Sequence, residues 1–259
     1  MVRVIGSDAR DVRAFYEAGY SVADPAERAR FGRWRALGGQ HKAGHVAVLC
    51  EESGLAPRTV VEIGCGDGAV LQALSDCGIG EILDGFELSA EAAALARKKQ
   101  VSRVRRVEAY DGEHVPAADG AYDLAVLSHV VEHVHEPVPL LREAARVARR
   151  VVVEVPLEAN WSAGRPGKRA EAARIGHVHA FDRTVVRALC AAAGLTVVAE
   201  LSDPLPLAHH AFFAETRQAR ARARVKTALR RAVFHAAPRF SERVFTVHYA
   251  CLLEPSVRA

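Results

Sequence analysis

The sequence predicts an α/β protein built on a doubly wound, mostly parallel sheet of seven strands. Between residues 57 and 202, short apolar runs rich in β-branched residues alternate with segments of helical periodicity. A glycine-rich turn joins the first of these runs to the first of these helices, and a strand pattern returns near the C-terminus. Strands separated by helices in this way are typical of parallel sheets covered by helices on both faces.

The composition fits a folded domain and excludes several classes of protein. Half of the 259 residues are hydrophobic and a quarter are charged, which allows a buried core. The 35 basic residues exceed the 31 acidic ones by only +4, too little to imply a nucleic-acid partner. The five cysteines form no Cys-x-x-Cys pair, and no apolar run reaches the roughly 18 residues of a membrane span. We therefore expect a cytoplasmic protein without a membrane partner.

The N-terminal segment, residues 11–53, has a mixed helical pattern, with breaks predicted at Pro25 and at the glycine pair 38–39. A β-branched run at 59–63 ends in glycines and is typical of a buried strand. Residues 67–77 then predict a helix, because apolar side chains recur at helical spacing. This apolar stripe comprises Val70, Leu71, Leu74 and Cys77.

The next elements repeat the strand and helix alternation. Residues 81–87 predict a second strand, and Ser89 is a suitable N-cap for an alanine-rich helix that ends near Lys99. Apolar runs at 104–109 and 122–128 predict the third and fourth strands.

The remaining elements of the sheet follow the same rules. A helical pattern at 137–149 precedes the apolar run 151–155, which a proline closes. A helix at 182–193, ended by a glycine, precedes a sixth strand at 195–201.

The C-terminal segment has a different character. Residues 212–233 are helical and very basic, and residues 243–253 alternate like a strand. We therefore expect a basic helical insertion at about 212–242 before the last strand. A solvated amphipathic helix is its simplest interpretation, whereas a phosphate-bearing acceptor, RNA or a membrane surface are alternatives. The arginines on one face of this helix are Arg217, Arg220, Arg224 and Arg231.

The most informative motif is the glycine turn at residues 64–68, Gly-Cys-Gly-Asp-Gly, between a strand and a helix. Glycine permits the unusual backbone angles of such a turn and lets a ligand approach the main chain. Because Ala69 follows, these glycines do not meet the dinucleotide pattern Gly-x-Gly-x-x-Gly. Glu87 ends the second strand, where a carboxylate can accept hydrogen bonds from two ribose hydroxyls, and Asp111 follows the third strand.

With these residues in order, the chain resembles the class I S-adenosylmethionine-dependent methyltransferases. It is most similar to a small-molecule group whose fourth strand continues into His-Val-Leu-Glu-His-Val, here His-Val-Val-Glu-His-Val at 129–134. The Val-Pro at 155–156 and the His-Ala-Phe-Asp-Arg at 179–183 extend the resemblance, which covers residues 57–202 and the last strand. A glycine pair usual before the fifth strand is replaced by Ala-Arg-Arg at 148–150, so we expect a shortened or differently built turn there.

The resemblance implies a Rossmann-like methyltransferase fold with two parts. Residues 1–56 would be an N-terminal helical lid, and residues 57–259 an S-adenosylmethionine-binding methyltransferase domain that contains the basic insertion. Aromatic residues of the lid would line the acceptor pocket or form the lid's own core, and Trp161 has the same two interpretations. The aromatic residues of the lid are Phe15, Tyr16, Tyr20, Phe31 and Trp34.

The resemblance also implies roles for individual residues in binding S-adenosylmethionine. The glycines of the turn would surround the methionine part, and Glu62 would orient its amino group. Glu87 would bind the ribose and Asp111 the adenine amino group, while the main chain after the fourth strand would lie beside the sulfonium. The predicted cofactor-binding residues are Glu62, Gly64, Cys65, Gly66, Glu87, Leu88, Asp111, Gly112, Ser128 and His129.

Histidines are the candidate catalytic residues, because an acceptor hydroxyl must lose a proton and histidine titrates near neutrality. His129 and His133 flank Glu132 after the fourth strand, and His177 and His179 follow the fifth strand at the same end of the sheet. Packing and helix capping are the alternative roles of these side chains. The sequence predicts no metal site, since neither this His-x-His pair nor the pair at 209–210 has a carboxylate or cysteine at ligand spacing.

The predicted function is methyl transfer from S-adenosylmethionine to an oxygen or nitrogen of a small-molecule acceptor, with specialised metabolism as a candidate setting. Methylation of a macromolecule such as RNA is one alternative, although the Asn/Asp-Pro-Pro-Tyr segment of many nucleic-acid methyltransferases is missing. A non-catalytic S-adenosylmethionine-binding module is another, and the glycine spacing disfavours a nicotinamide dehydrogenase. We expect no membrane partner and disfavour nucleic acid, and the sequence leaves a homodimer open.

Overall fold

The structure is a computed structural model that describes residues 3–4, 12–21 and 23–256. The strands are β1 (Arg3–Val4), β2 (Thr59–Ile63), β3 (Ile82–Glu87), β4 (Val104–Ala109), β5 (Tyr122–Ser128), β6 (Ala148–Pro156), β7 (His179–Ala180), β8 (Leu195–Asp203) and β9 (His248–Pro255). The helices are α1 (Val12–Tyr20), α2 (Pro25–Glu52), α3 (Ala69–Asp76), α4 (Ala90–Lys98), α5 (Pro137–Val147), α6 (Pro166–Arg174), α7 (Arg183–Ala192), α8 (Leu207–Ala211), α9 (Arg217–Ala236) and α10 (Pro238–Val244).

The predicted seven-stranded, mostly parallel sheet is confirmed. Its strand order is β4-β3-β2-β5-β6-β9-β8, and only β9 runs antiparallel to its neighbours. The chain leaves β2 towards β3 on one side and returns to β5 on the other side. The carboxyl ends of β2 and β5 therefore form the crevice in which doubly wound sheets bind their ligands. A separate pair, β1 and β7, is antiparallel.

Helices cover both faces of the sheet because its central strands are apolar on both sides. Residues 151–155 of β6 are all buried, with alternate side chains reaching two separate core clusters. The cluster on one face includes residues of α5 and α7, and the cluster on the other includes residues of α2, α3 and α4. Each fully buried valine or leucine contributes about 1.5–3 kcal/mol relative to an exposed one.

The glycine pair predicted to break the N-terminal helix lies inside α2, so that prediction was wrong. Pro25 begins this helix as expected, and Asp24 caps it by accepting a hydrogen bond from the backbone N–H of Ala26. Gly39 is buried against α3, where a Cβ would lie 2.4 Å from the Ala69 carbonyl oxygen. The glycine therefore allows the two helices to approach closely. Beyond it, residues 43–50 of α2 contribute apolar side chains to the core of the sheet.

The turn before the fifth strand of the predicted sheet is absent, which agrees with the expected departure from the family pattern. α5 ends at Val147, two residues earlier than predicted, and β6 begins at Ala148, three residues earlier than predicted. The reason is register, because Ala148 pairs with Tyr122 at the start of β5. Arg146 stabilises the junction by bonding the carbonyls of Val115 and Ala117.

Three helices, α8, α9 and α10, lie between β8 and β9, where the basic insertion was expected. The last strand begins at His248, whereas the sequence predicted a start at 243, because Pro238 begins α10 and this helix extends to Val244. Within the described part of the chain, no helix is long and apolar enough to cross a membrane.

Candidate cofactor and acceptor site

The turn between β2 and α3 has the backbone that its glycines predict. Gly64, Gly66 and Gly68 all have positive φ, at 79°, 53° and 75°. A Cβ on Gly64 would lie 2.5 Å from a methyl of Val130, and one on Gly66 would lie 2.5 Å from the Tyr20 hydroxyl. Any larger residue would therefore be strained and would also fill the space above the turn.

Glu62 lies at the end of β2 with its side chain buried under this turn. Burial raises the pKa of its carboxyl well above the usual range. Among the described residues, its Oε2 atom has no hydrogen-bond partner. A buried carboxyl oxygen of this kind fits a ligand with an amino group, as the predicted role of Glu62 requires.

Glu87, at the end of β3, connects the two loops that face the crevice. Its Oε2 accepts a hydrogen bond from Gly66 N–H at 2.7 Å, and its Oε1 accepts one from Ser89 N–H at 3.0 Å. Burial raises the pKa of Glu87 and outweighs these backbone hydrogen bonds, which lower it. Each carboxylate oxygen has further acceptor capacity, so the geometry fits a ribose diol.

Cys65 and Leu88, the neighbours of these residues, have different surroundings. The Cys65 thiol packs under the turn, where a Cβ on Gly85 would lie 2.8 Å from its sulfur. Leu88 lies beside Gly112, since a Cβ on that glycine would be 3.1 Å from a Leu88 methyl. Of the two predicted cofactor contacts, Leu88 therefore borders the loop after β4, and Cys65 supports the turn from below.

Asp111 follows β4 and shapes its own loop. Its Oδ1 accepts hydrogen bonds from the backbone N–H groups of Glu113 and His114, at 2.8 and 2.7 Å. These bonds lower the pKa of Asp111, so the carboxylate is ionised at neutral pH. Its side chain is 58% exposed, which leaves Oδ2 accessible to a ligand.

Helix α1 lies across the edge formed by these loops. Glu17 accepts hydrogen bonds from Ala90 N–H at 2.7 Å and from the Ser89 hydroxyl at 3.0 Å, at the start of α4. Arg13 donates to the Tyr110 carbonyl at 3.1 Å. The sequence did not indicate these contacts, because neither side chain belongs to a motif.

Tyr20, one of the predicted lid aromatics, covers the glycine turn. Burial is the main cause that raises its pKa, and the Arg35 guanidinium lies over its ring at 5.0 Å from the centroid. Arg35 also pairs with Asp67 of the turn, with 2.9 Å between Nε and Oδ2. Of the other aromatics, Trp34 contacts Phe213 and is half-exposed, whereas the Tyr16 side chain lies outside the described part of the structure.

At the end of β5, Ser128 and His129 contact the buried carboxylate of Glu154 on the next strand. The Ser128 hydroxyl donates to Glu154 Oε2 at 3.1 Å, and His129 N–H donates to the Glu154 carbonyl at 2.9 Å. His129 has a φ of 58°, rare for a residue with a side chain, and this backbone turns its ring towards His248. Burial lowers the pKa of His129 well below its usual value, so its imidazole is neutral.

His129 is one member of a larger group that we call the histidine cluster. Glu154 is fully buried, and its Oε1 lies 3.0 Å from His248 Nδ1 and 3.3 Å from His45 Nδ1. Asp203, at the end of β8, lies 2.7 Å from His41 Nε2. Ionised Glu154 and Asp203 outweigh the effect of burial on His45 and raise its pKa to about 9. The cluster comprises His41, His45, His129, His209 and His248 with Glu154 and Asp203.

Most members of the histidine cluster were missed by the sequence analysis. His41 and His45 stand four positions apart on α2, a spacing that puts both on one helix face and could have been noticed. Glu154 interrupts the apolar run 151–155, which is a signal of a buried charge. His248 follows no motif, and only the pairing of β9 with β6 brings it to Glu154.

Of the other predicted catalytic histidines, His133 and His177 lie beside Glu132, whose Oε1 is 3.3 Å from His129 Nδ1. The rings of His133 and His177 are in contact, with centroids 4.7 Å apart, and His177 Nδ1 lies 2.7 Å from Glu158 Oε2. Burial raises the pKa of the adjacent Glu132 to about 7 and lowers that of His133 to about 3. His179 lies in β7, beside the carbonyl of His135 at 3.2 Å, and packs against Phe181.

A doubly wound sheet with a glycine turn after its first strand and carboxylates after the next two defines the class I S-adenosylmethionine-binding fold. Comparison with known proteins identifies the family. Residues 26–200 match the family model described as methyltransferase domain, and the chain therefore belongs to this family. Its cofactor is S-adenosyl-L-methionine, and the unpaired Glu62 oxygen and the glycine turn fit the methionine part of that molecule.

Among related sequences, a ubiquinone biosynthesis O-methyltransferase from Sodalis glossinidius is 29% identical over 140 residues, covering 49% of this chain and 55% of that protein. The chain thus matches little more than half the length of this relative. A geranyl diphosphate C-methyltransferase from Streptomyces coelicolor has the same fold, with a TM-score of 0.63, 16% identity and coverage of 96% and 99%. The [4+2]-cyclase SpnF also shares it, with a TM-score of 0.54, 17% identity and coverage of 82% and 80%.

Proposed function

We propose that this protein transfers the methyl group of S-adenosylmethionine to an oxygen of a small-molecule acceptor. The observation that carries the proposal is the position of the His129 imidazole at the end of β5, partly exposed and with its Nε2 atom 3.6 Å from Oε1 of the buried Glu154. An acceptor hydroxyl must lose its proton to attack the methyl carbon, and a positioned base accelerates this by about 10²–10⁴-fold. When bound, S-adenosylmethionine supplies an activated methyl group and leaves as S-adenosylhomocysteine.

The residues around His129 support its use as the base. His129 Nε2 lies 3.4 Å from His248 Nδ1 and 3.6 Å from Glu154 Oε1. A buried carboxylate beside an imidazole orients the ring and stabilises the imidazolium that forms when it takes a proton.

The cofactor contacts carry over from the resemblance as part of the proposal. Glu62 and the glycines of the turn would hold the methionine part, Glu87 the ribose diol and Asp111 the adenine amino group. Tyr20 would cover the ligand from above, since its hydroxyl lies over Gly66. Helix α1 would then act as the predicted lid, because its contacts join the loops after β3 and β4.

Methylation of a nitrogen is the nearest alternative, and it differs in one respect. A neutral amine attacks without first losing a proton, so it needs no base in the position of His129. The ubiquinone biosynthesis O-methyltransferase among the relatives favours oxygen. A role in specialised metabolism, a cytoplasmic location and a homodimer stay predictions.

The proposal is tested in two stages. Isothermal titration of the full chain with S-adenosylhomocysteine should give one binding site, and a screen of hydroxylated and amino compounds should release S-adenosylhomocysteine from S-adenosylmethionine with the hydroxylated ones. His129→Gln should then lower kcat by about 10²–10⁴-fold with unchanged S-adenosylhomocysteine affinity. His235→Gln, in an exposed position on α9, is the control. Absence of cofactor binding, or full activity of His129→Gln, would contradict the proposal.

Methylation of RNA remains the macromolecular alternative because α9 is basic and mostly exposed. Binding that depends on phosphates weakens steeply with salt. RNA retained by the purified protein at low salt, and methylated in preference to small compounds, would favour this alternative.

A further inference from the structure

Three imidazoles of the histidine cluster lie close enough to share one metal ion. One ring nitrogen from each of His41, His45 and His248 lies within 4.8 Å of the other two. An ion with tetrahedral bonds of about 2.1 Å separates its ligand atoms by roughly 3.4 Å. Two helical positions one turn apart and the first residue of β9 provide these ligands.

The carboxylates around these rings have the arrangement that supports metal-binding histidines. Asp203 Oδ2 lies 2.7 Å from His41 Nε2, and Glu154 Oε1 lies 3.0 Å from His248 Nδ1. Each carboxylate thus contacts one nitrogen of His41 or His248, and His45 lies between the two carboxylates, with Nδ1 3.3 Å from Glu154 Oε1 and Nε2 3.6 Å from Asp203 Oδ2. Such carboxylate–histidine pairs orient the ring and increase its basicity in protein metal sites.

Hydrogen bonding within the protein leaves this cluster incompletely satisfied. In the part of the chain that the structure describes, His41 Nδ1 and His209 Nδ1 are buried without a hydrogen-bond partner, and the two nitrogens of His45 have only ion-pair contacts with the carboxylates, at 3.3 and 3.6 Å. Buried polar atoms without a partner are uncommon in folded proteins. Their concentration at one place indicates a ligand that binds nitrogen.

The charged side chains around these rings are the carboxylates of Glu154 and Asp203, which contact them, and Lys42, half-buried between the two histidines of α2.

We propose that His41, His45 and His248 bind a divalent transition-metal ion of the zinc type, with Asp203 and Glu154 positioning the rings. Nitrogen ligands of this kind suit zinc, cobalt and nickel better than magnesium or calcium. Three protein ligands leave a fourth position open.

The location of the ion indicates what would occupy that position. The His248 ring lies 4.5 Å from the His129 ring, centroid to centroid, at the carboxyl edge of β5 and β6. An acceptor oxygen bound to the ion would lie next to His129 and would lose its proton more readily, because a bound cation lowers the pKa of a coordinated oxygen. This role in holding the acceptor rests on the proposed methyl transfer, whereas the metal site does not.

The test uses the full chain with any affinity tag removed, dialysed against EDTA and then into metal-free buffer. Titration with Zn²⁺ by calorimetry, and with Co²⁺ by visible absorption, should show that the wild type binds one metal ion tightly per chain. His41→Ala should abolish metal binding, and Asp203→Asn should weaken the metal affinity by about 10–100-fold. His235→Ala, on the exposed side of α9, should bind as the wild type does.

Two other groups of possible ligands make the experiment selective. Glu132, His133 and His177 lie within reach of one ion, and so do His129, Glu154 and His248. If His41→Ala keeps the bound metal, or if the wild type binds none, the proposed site is wrong, and loss of the metal in His177→Ala would assign it to the first of these groups. S-adenosylhomocysteine titration of each variant reports whether it is folded. A protein that binds the metal but no S-adenosylhomocysteine would refute the proposed methyl transfer and leave the metal site standing.

Discussion

The two halves of the candidate site are assembled in different ways. The glycine-turn half consists of residues 62–68, 87–89 and 110–114 at the ends of three neighbouring strands, where backbone N–H groups donate hydrogen bonds to the carboxylates of Glu87 and Asp111. The histidine half consists of the histidine cluster, whose members are spread from position 41 to position 248 and meet through side chains. A local backbone motif can bind a cofactor, whereas the histidine half, which we propose faces the acceptor, is built by the tertiary arrangement of this particular chain.

The largest expected effect comes from removing the buried carboxylate of the histidine half. Glu154→Ala leaves His248, His45 and Ser128 without their common acceptor, and breaking a buried ionic group costs about 3–5 kcal/mol of unfolding free energy. Urea denaturation measures this loss. Glu254→Ala, which removes a partly exposed pair with Arg150 on the neighbouring strand, is the control and should cost less than about 1 kcal/mol. Equal losses of unfolding free energy in the two variants would contradict the prediction that Glu154 stabilises the histidine half.

In the glycine-turn half, the corresponding change should affect ligand binding more than folding. Glu87→Ala removes the acceptor proposed for the ribose diol and should weaken S-adenosylhomocysteine binding by about 1–3 kcal/mol. Calorimetry measures it, with Glu108→Ala, a partly exposed residue of the next strand, as the control. Unchanged affinity would show that the ribose binds elsewhere.

A buried carboxylate also lies beneath the glycine-turn half, and its effect should appear only at acid pH. Asp84 on β3 accepts hydrogen bonds from Arg105 and Arg106 and from the Tyr122 hydroxyl. Burial raises its pKa, but these bonds outweigh burial and lower it below the usual value. A lowered pKa stabilises the fold above the unfolded-state pKa of about 3.9, and this contribution is lost as the pH falls through the folded-state pKa.

Asp84→Asn should therefore reduce the dependence of the unfolding free energy on pH between about pH 4 and pH 2. Urea unfolding at several acid pH values measures that slope. If the unfolding free energy depends on pH with the same slope in the wild type and the variant, carboxylates other than Asp84 cause the loss of stability in acid.

The smallest expected effect concerns α1. Glu17→Ala removes its contacts with the start of α4 and should accelerate release of S-adenosylhomocysteine while the unfolding free energy stays unchanged. Stopped-flow displacement measures the release rate, and Glu27→Ala on α2 is the control. An unchanged rate would mean that α1 does not act as a lid over this half of the site.

Predictions agreed with the structure where they depended on local properties of the chain. The glycine turn could be recognised because its backbone angles, its strand and its helix are all local properties of the chain. Local patterns misled where a residue had a distant partner. Gly39 resembled a helix break, yet its role is close contact with Ala69, thirty positions later in the chain. The last strand was placed five residues early because the alternating pattern does not reveal that Pro238 begins another helix.

The sequence alone determined the alternation of strands and helices, the glycine turn and the acidic residues that follow β3 and β4. These features depend on backbone angles and on periodicities within a few residues. Only the tertiary structure decided that β9 inserts antiparallel between β6 and β8, and that the middle of α2 lies over the ends of these strands. This order brings His248 and His41 to the carboxylates of Glu154 and Asp203. The histidine half therefore arises from sheet order and register, which no local pattern encodes.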